Sequence, residues 1–283
     1  MRLLRARAFA FLVVAAILLA GLAQSAPSRV EVVARAPHAQ RPDASSGDDD
    51  PSRPGTQVNP RAGGPRQFPT DIILDDENGH NDVRRVTVTV LKADNVTIHR
   101  QAVDAAKLSA SGTRATWRAT VTMASNDTPG TYILRAEAID RDSAVSLAWT
   151  NFTYEPLAAL ALAQENVSLV PTGSAGFAPG AAETTPVAVN VTNGGNVPVN
   201  VTLAATALSN ATHESSVPPS SLRAARWQNM SSPVALSTSA QTVPGLSIAA
   251  NATAPLYFSM QVPAGLRPGV YVGELTVSAV AAP

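Results

Sequence analysis

The densest group of oxygen donors in the sequence is Asp75-Asp76-Glu77-Asn78-Gly79-His80-Asn81-Asp82. Asp75, Asp76, Glu77, Asn78 and Asp82 are hard ligands arranged around a glycine, a donor set of the kind calcium takes. Their register does not match an EF-hand loop, and Asp, Asn and Gly are also what an ordinary turn between two strands demands. The stretch therefore reads as a turn, and no metal ligand is assigned. The run Asp48-Asp49-Asp50 reads as solvated chain.

A second chemistry is carried by Asn-x-Ser/Thr. Nine of the fourteen asparagines are acceptors of this form: Asn95, Asn126, Asn151, Asn166, Asn190, Asn200, Asn210, Asn229 and Asn251. Chance placement of the Ser and Thr residues would give roughly two to three such motifs. Strand alternation makes some of them without help, because outward positions i and i+2 are both polar. Asn190-Val191-Thr192 and Asn200-Val201-Thr202 fit that explanation, whereas Asn126, Asn210, Asn229 and Asn251 fall in expected turns or loops. The excess points to N-glycosylation, hence to an extracytoplasmic protein.

Catalytic patterns are missing. Gly173-Ser174-Ala175-Gly176 lacks the spacing of a nucleophile elbow, and no phosphate-cradling glycine loop occurs. His213-Glu214 has no second histidine four residues on, so the zinc-protease helix is absent. The four histidines, His38, His80, His99 and His213, lie in separate segments and read as solvated or turn residues. The expectation is a non-enzyme without cofactor.

Composition narrows the class further. Lys plus Arg and Asp plus Glu are both 21, and this balance gives no basic face for a nucleic acid. With no cysteine, stability must come from apolar packing and sheet hydrogen bonds rather than disulfides or Cys-based zinc sites. Abundant Thr and Val with 22 prolines suit many short strands joined by turns.

Residues 1–25 read as a targeting segment. Arg2, Arg5 and Arg7 precede an uncharged run over residues 8–23, and Ala23 and Ser25 stand at −3 and −1 of a cut after Ser25. Such a run spans about 24 Å as a helix, short of the ~30 Å hydrocarbon core, which favours cleavage over retention as an anchor. A third reading takes Arg7-Ala8-Phe9 as a prepilin-type processing site. Membrane contact is expected only through residues 8–23, if they are retained. Residues 26–69 are Pro-rich and show no apolar period, so they read as a disordered linker.

Beyond Pro69 the pattern turns to period 2. Val86, Val88 and Val90 alternate with Thr87 and Thr89 as a half-buried strand. Trp117, Ala119, Val121 and Met123 share one face of the next, and Asn126-Asp127-Thr128-Pro129-Gly130 turns the chain into a strand beginning near Tyr132. Trp149, in phase with apolar neighbours, is expected in the core beside Trp117, and shorter strands are expected at residues 71–74 and 96–98. A second unit starts near Pro156. Val187, Val189 and Val191, then Asn193-Gly194-Gly195-Asn196, then Val197, Val199, Val201 and Leu203 predict a tight hairpin whose turn needs positive φ. Residues 206–253 read as short strands and loops, with Trp227 as a core plug or a sugar-stacking residue. The expectation is all-β: two immunoglobulin-like sandwiches, residues 70–155 and 156–283, after an apolar helix and a linker.

Asn193-Gly194-Gly195-Asn196-Val197-Pro198-Val199-Asn200-Val201-Thr202 and Gln261-Val262-Pro263-Ala264-Gly265-Leu266-Arg267-Pro268-Gly269-Val270-Tyr271 resemble Ig-like modules of the NEW3/CARDB type. The stretch from Asp75 to Asp82 with Pro129-Gly130-Thr131-Tyr132 resembles a second module of the same kind. The resemblance implies an exported surface protein of archaeal or bacterial type, structural or adhesive, with a surface protein or polysaccharide as partner. The alternatives are an accessory binding subunit of an extracellular enzyme or transport complex, and a pilin-like filament subunit.

Overall fold

The computed structural model describes residues 35–170 and 183–282, and the expected signal segment lies outside them. The period-2 segments pair into two sandwiches. In the first, β1 (His38–Ala39), β3 (Arg66–Asp75), β7 (Arg114–Met123) and β6 (Ala106–Ser111) form one sheet in that order. The other sheet runs β2 (Gln57–Val58), β9 (Val145–Tyr154), β8 (Gly130–Asp140), β4 (Val83–Lys92) and β5 (Ile98–Asp104). The first strand of this immunoglobulin-like plan is split between the sheets: β1 is antiparallel on β3, and β2 is parallel on β9.

Alternation supplies the core. Ala115, Trp117, Ala119, Val121 and Met123 of β7 all point inward and are buried. Phe68 packs edge-on to Phe152 at 5.1 Å, and Phe152 stacks on Tyr132 at 5.6 Å. The Tyr132 hydroxyl donates to the Thr128 carbonyl at 2.7 Å, the tyrosine corner by which a sandwich strand is pinned to the turn before it. The second sandwich repeats this device on the same Pro-Gly-x-Tyr motif, with the Tyr271 hydroxyl on the Arg267 carbonyl at 2.8 Å.

The expected linker is corrected over residues 35–69, which belong to the first sandwich. Ala39, Ala44 and Val58 are buried, and Asp43 bridges to Asp71. The aspartates read as solvated chain act as backbone clamps. Asp48 accepts from the Asp50 and Gln57 N–H groups, while Asp49 accepts from the Asn59 N–H and pairs with Arg66 at 2.6 Å. The segment contributes isolated apolar plugs and local side-chain bonds instead of a repeating face, so no period marked it.

Other expectations also change. Thr87 and Thr89 are buried on β4, an interior strand between β5 and β8. The expected strand at residues 96–98 is instead the start of β5, with Val96 exposed. Trp149 is 46% exposed: β9 carries apolar residues on both faces, and Ala148, Phe152 and Tyr154 take the inward one.

In the second sandwich, one sheet is β10 (Leu160–Leu162), β11 (Val187–Asn193), β18 (Thr253–Met260), β15 (Leu222–Ala225) and β16 (Val234–Ala235). Another is β17 (Gln241–Ile248), β12 (Val199–Ala205) and β20 (Leu275–Ala281), with a small third sheet of β14 (Ser216–Val217), β13 (Leu208–Asn210) and β19 (Tyr271–Val272). Val191, Leu256 and Phe258 close over Val201, Leu203, Leu246 and Ile248 as a core separate from the first. Residues 206–253 do resolve into short strands. Among the described residues β20 is an edge strand, and its inward Leu275, Val277 and Ala279 are only half-buried.

The expected hairpin does not form. β11 and β12 belong to different sheets, and Asn193-Gly194-Gly195-Asn196 carries the chain across the core between them. Positive φ occurs at neither Gly194 nor Gly195. The loop instead grips the connector between the sandwiches. Gly194 N–H donates to the Ala159 carbonyl and Asn196 N–H to the Leu157 carbonyl, both at 3.0 Å. The buried Asn196 side chain accepts from Leu157 N–H at 2.6 Å and donates to the Glu155 carbonyl at 3.0 Å. A glycine is required at position 195 by contact, since a Cβ there would lie 2.0 Å from the Leu157 oxygen.

Candidate functional site

At the end of the first sandwich where β3 and β8 finish, two loops meet. Residues 76–82 turn through Gly79 at φ 101°, with Asp76 Oδ1 accepting from Asn78 N–H at 2.8 Å. Residues 140–144 turn under Asp140, whose Oδ1 accepts from Ala144 N–H at 2.7 Å. Arg141 N–H donates to the Asp82 carbonyl at 3.0 Å and joins the loops. Asp76 is 1% exposed and Asp140 0% exposed, and the Oδ2 atom of each is buried without a hydrogen-bond partner. Among the described residues these are the two carboxylate oxygens in that condition.

The remaining acidic residues of the loop are engaged. Asp75 accepts from Gln40 at 2.8 Å, Glu77 pairs with Arg35 at 2.7 Å, and Asp82 accepts from Asn78 at 3.5 Å. Burial pushes the Asp76 carboxyl above the usual range. The Asn78 N–H opposes this, and the charges of Asp82, Asp140 and Glu77 add to it. The turn expected from sequence is therefore present, but it encloses a buried carboxyl. Among the described residues no three metal-type side chains (His, Cys, Asp or Glu) converge. The unpartnered buried donors here are the two carboxylate oxygens, Asp76 Oδ2 and Asp140 Oδ2.

The acceptor asparagines spread over both sandwiches. Asn95, Asn126, Asn151, Asn166, Asn190, Asn229 and Asn251 are exposed, while Asn200 and Asn210 are half-buried. The fully buried asparagines, Asn193 and Asn196, are outside any acceptor motif. Thr192 and Thr253, the hydroxyl residues of two motifs, are hydrogen-bonded across β11 and β18 at 2.8 Å. Asn210 is committed to structure: its Nδ2 donates to the Val270 carbonyl at 3.0 Å and lies where a side chain on Gly269 would fall.

The histidines do not converge. His38 lies on β1, and the His80 carbonyl accepts from Lys107. His99 packs on the Tyr132 ring at 4.7 Å beside Asp127, and His213 bonds Ser215 at 2.5 Å against Tyr271. Trp227, offered as a core plug, is 54% exposed under the Arg226 guanidinium at 4.6 Å. Together with Gln228, Asn229 and Ser231 it lines an open depression. The Gly173-Ser174-Ala175-Gly176 stretch lies outside the described residues.

No protein-family model matches the chain, and no curated protein matches it. Solved structures do. The CsuC–CsuE chaperone–tip adhesion subunit pre-assembly complex from archaic chaperone-usher Csu pili of Acinetobacter baumannii is similar at 12% identity and TM-score 0.36, over 79% of this chain and 96% of that one. A chaperone–tip adhesin complex of CFA/I fimbriae biogenesis is similar at 9% identity and TM-score 0.33, over 81% of this chain and 97% of that one. A protein of Corynebacterium diphtheriae described as membrane-anchored is similar at 13% identity and TM-score 0.24, over 88% and 57%. Likenesses of this size concern the β-rich build and carry no statement about partner or activity.

Asp140 is the residue that sequence reasoning missed. It ends a regular strand with no local motif, and only pairing of β8 with β4, which sets Asp140 opposite Val83, carries it to the acidic loop.

Proposed function

We propose that this chain is a non-enzymatic, exported surface protein in which two immunoglobulin-like modules act together as a structural or adhesive unit bearing N-glycans. The observation that carries this reading is the joint. Residues 155–159 are held by four hydrogen bonds shared with Gly194 and Asn196, so the second sandwich takes hold of the strand end that leaves the first. A clamped connector suits a module pair that must transmit position or load, and it gives a hinged enzyme nothing. The exposure of seven acceptor asparagines supports the glycan component. Protease added to intact cells of the native host tests the reading. Loss of the protein without loss of a cytoplasmic marker is expected, and full protection until lysis would refute it.

One observation favours the accessory-subunit reading. Val145, Leu147 and Trp149 form an exposed apolar row on β9, at 51%, 41% and 46% exposure. Such a row suits a polypeptide or sugar ring better than water. Trp149→Ala leaving adhesion intact but abolishing retention on a partner column would select this alternative.

A further inference from the structure

We propose that Asp76 and Asp140 form the centre of a calcium site, placed between the loop of residues 76–82 and the turn of residues 140–144. Each carboxylate spends one oxygen on its own loop, on Asn78 N–H and Ala144 N–H, and leaves the other buried and unpartnered. A buried anionic oxygen with neither donor nor counter-charge is strongly disfavoured, and two at one end of a sandwich compound the penalty. Asp82, half-buried on the same loop, adds a third negative charge within range of Asp76. Two cations of this end are engaged elsewhere: Arg35 pairs with Glu77, and Lys107 donates to the His80 carbonyl.

A divalent cation answers this arrangement. All the donors are oxygen, which excludes the soft-ligand metals, and calcium accepts about six to eight oxygens in irregular geometry. Two carboxylates completed by loop carbonyls and water make a site of the weak extracellular type, with Kd on the order of 10⁻⁴–10⁻³ M. Binding would tie β3 to β8 across the two sheets, at the end where Arg35 meets Glu77.

The test uses the full chain, stripped with EGTA and dialysed. Isothermal titration with CaCl2 and thermal melts in 10 mM CaCl2 or EGTA are the measurements. At 10 mM, roughly ten- to a hundredfold over that Kd, calcium is expected to raise Tm by about 3–10 °C. Asp76→Asn and Asp140→Asn keep an oxygen for the Asn78 and Ala144 N–H groups and remove the charge. Each is expected to abolish the calcium shift, while Asp94→Asn, in the turn beyond the opposite end of β4, keeps it. Hydrogen exchange on the wild-type chain locates the site without substitution, by slowed exchange in residues 76–82 and 140–144 when calcium is added. Three results would overturn the proposal: no heat and no shift up to 10 mM calcium, a shift that survives in D76N and D140N, or slowing confined to other segments.

Discussion

Gly195→Ala should uncouple the two sandwiches, and Gly194→Ala beside it should not. A Cβ at position 195 would stand 2.0 Å from the Leu157 oxygen, 2.9 Å from the Leu157 carbonyl carbon and 3.1 Å from the Ala159 nitrogen. The nearest of these is backbone, so no side-chain rotamer relieves it. Restoring ordinary contact requires a displacement of more than 1 Å, roughly, which exceeds the tolerance of hydrogen bonds at 2.6–3.0 Å. Four bonds depend on that approach: Gly194 to Ala159, Asn196 N–H to Leu157, Leu157 to the Asn196 side chain, and the Asn196 amide to Glu155. At about 0.5–1.5 kcal/mol each, their loss amounts to about 2–6 kcal/mol, with relaxation favouring the lower half. A fall in Tm of roughly 5–12 °C follows for domains of this size. Position 194 has nothing within 4 Å and no positive φ, so alanine there is expected to be neutral or slightly stabilising. Calorimetry measures the stability, and limited proteolysis at residues 155–159 measures the release of the connector. Equal melts and equal protection for G195A and G194A would refute the close-approach argument.

Asp127 sets an acid limb. Burial raises its carboxyl, but the Arg100 guanidinium, the Ala124 N–H and His99 outweigh that and hold it below the usual range. Its contribution is complete above about pH 4 and fades as pH falls through the lowered value, so urea melts of Asp127→Asn between pH 5 and pH 2 should show a flatter decline than wild type. Tyr154 sets an alkaline limb. Burial first, then the Asp127 charge, pushes its hydroxyl up to about 12, so stability present below pH 10 is lost as pH rises toward 12. Tyr154→Phe should lower stability at pH 8, by loss of the 2.9 Å bond to the Ala124 carbonyl, and should flatten the fall above pH 10. Glycopeptide mass spectrometry of the native protein is expected to find Asn95, Asn229 and Asn251 modified and Asn210 bare, because Asn210 holds Val270. A modified Asn210 would contradict that placement.

Several features were legible in the residues alone. The face of β7 could be read from Trp117, Ala119, Val121 and Met123, since a strand's period is local and survives any choice of neighbours. The acceptor asparagines are short motifs of the same local kind. What the sequence could not carry was partnership. Val187–Asn193 and Val199–Ala205 look like a hairpin because their alternation and the Asn-Gly loop agree, yet they lie in different sheets and the loop between them packs on the connector at Gly195. Period alone could not say which apolar face of β9 turns inward, because Val145, Leu147 and Trp149 alternate as cleanly as Ala148, Phe152 and Tyr154. Residues 35–69 have no period at all and are ordered by single plugs and aspartate clamps. Asp76 comes to the same end of the sandwich as Asp140 only after two sheets have closed on one core. Periodicity reports how one strand divides its own faces, whereas contacts between distant residues depend on how whole sheets bury their apolar area, a property of the assembled fold.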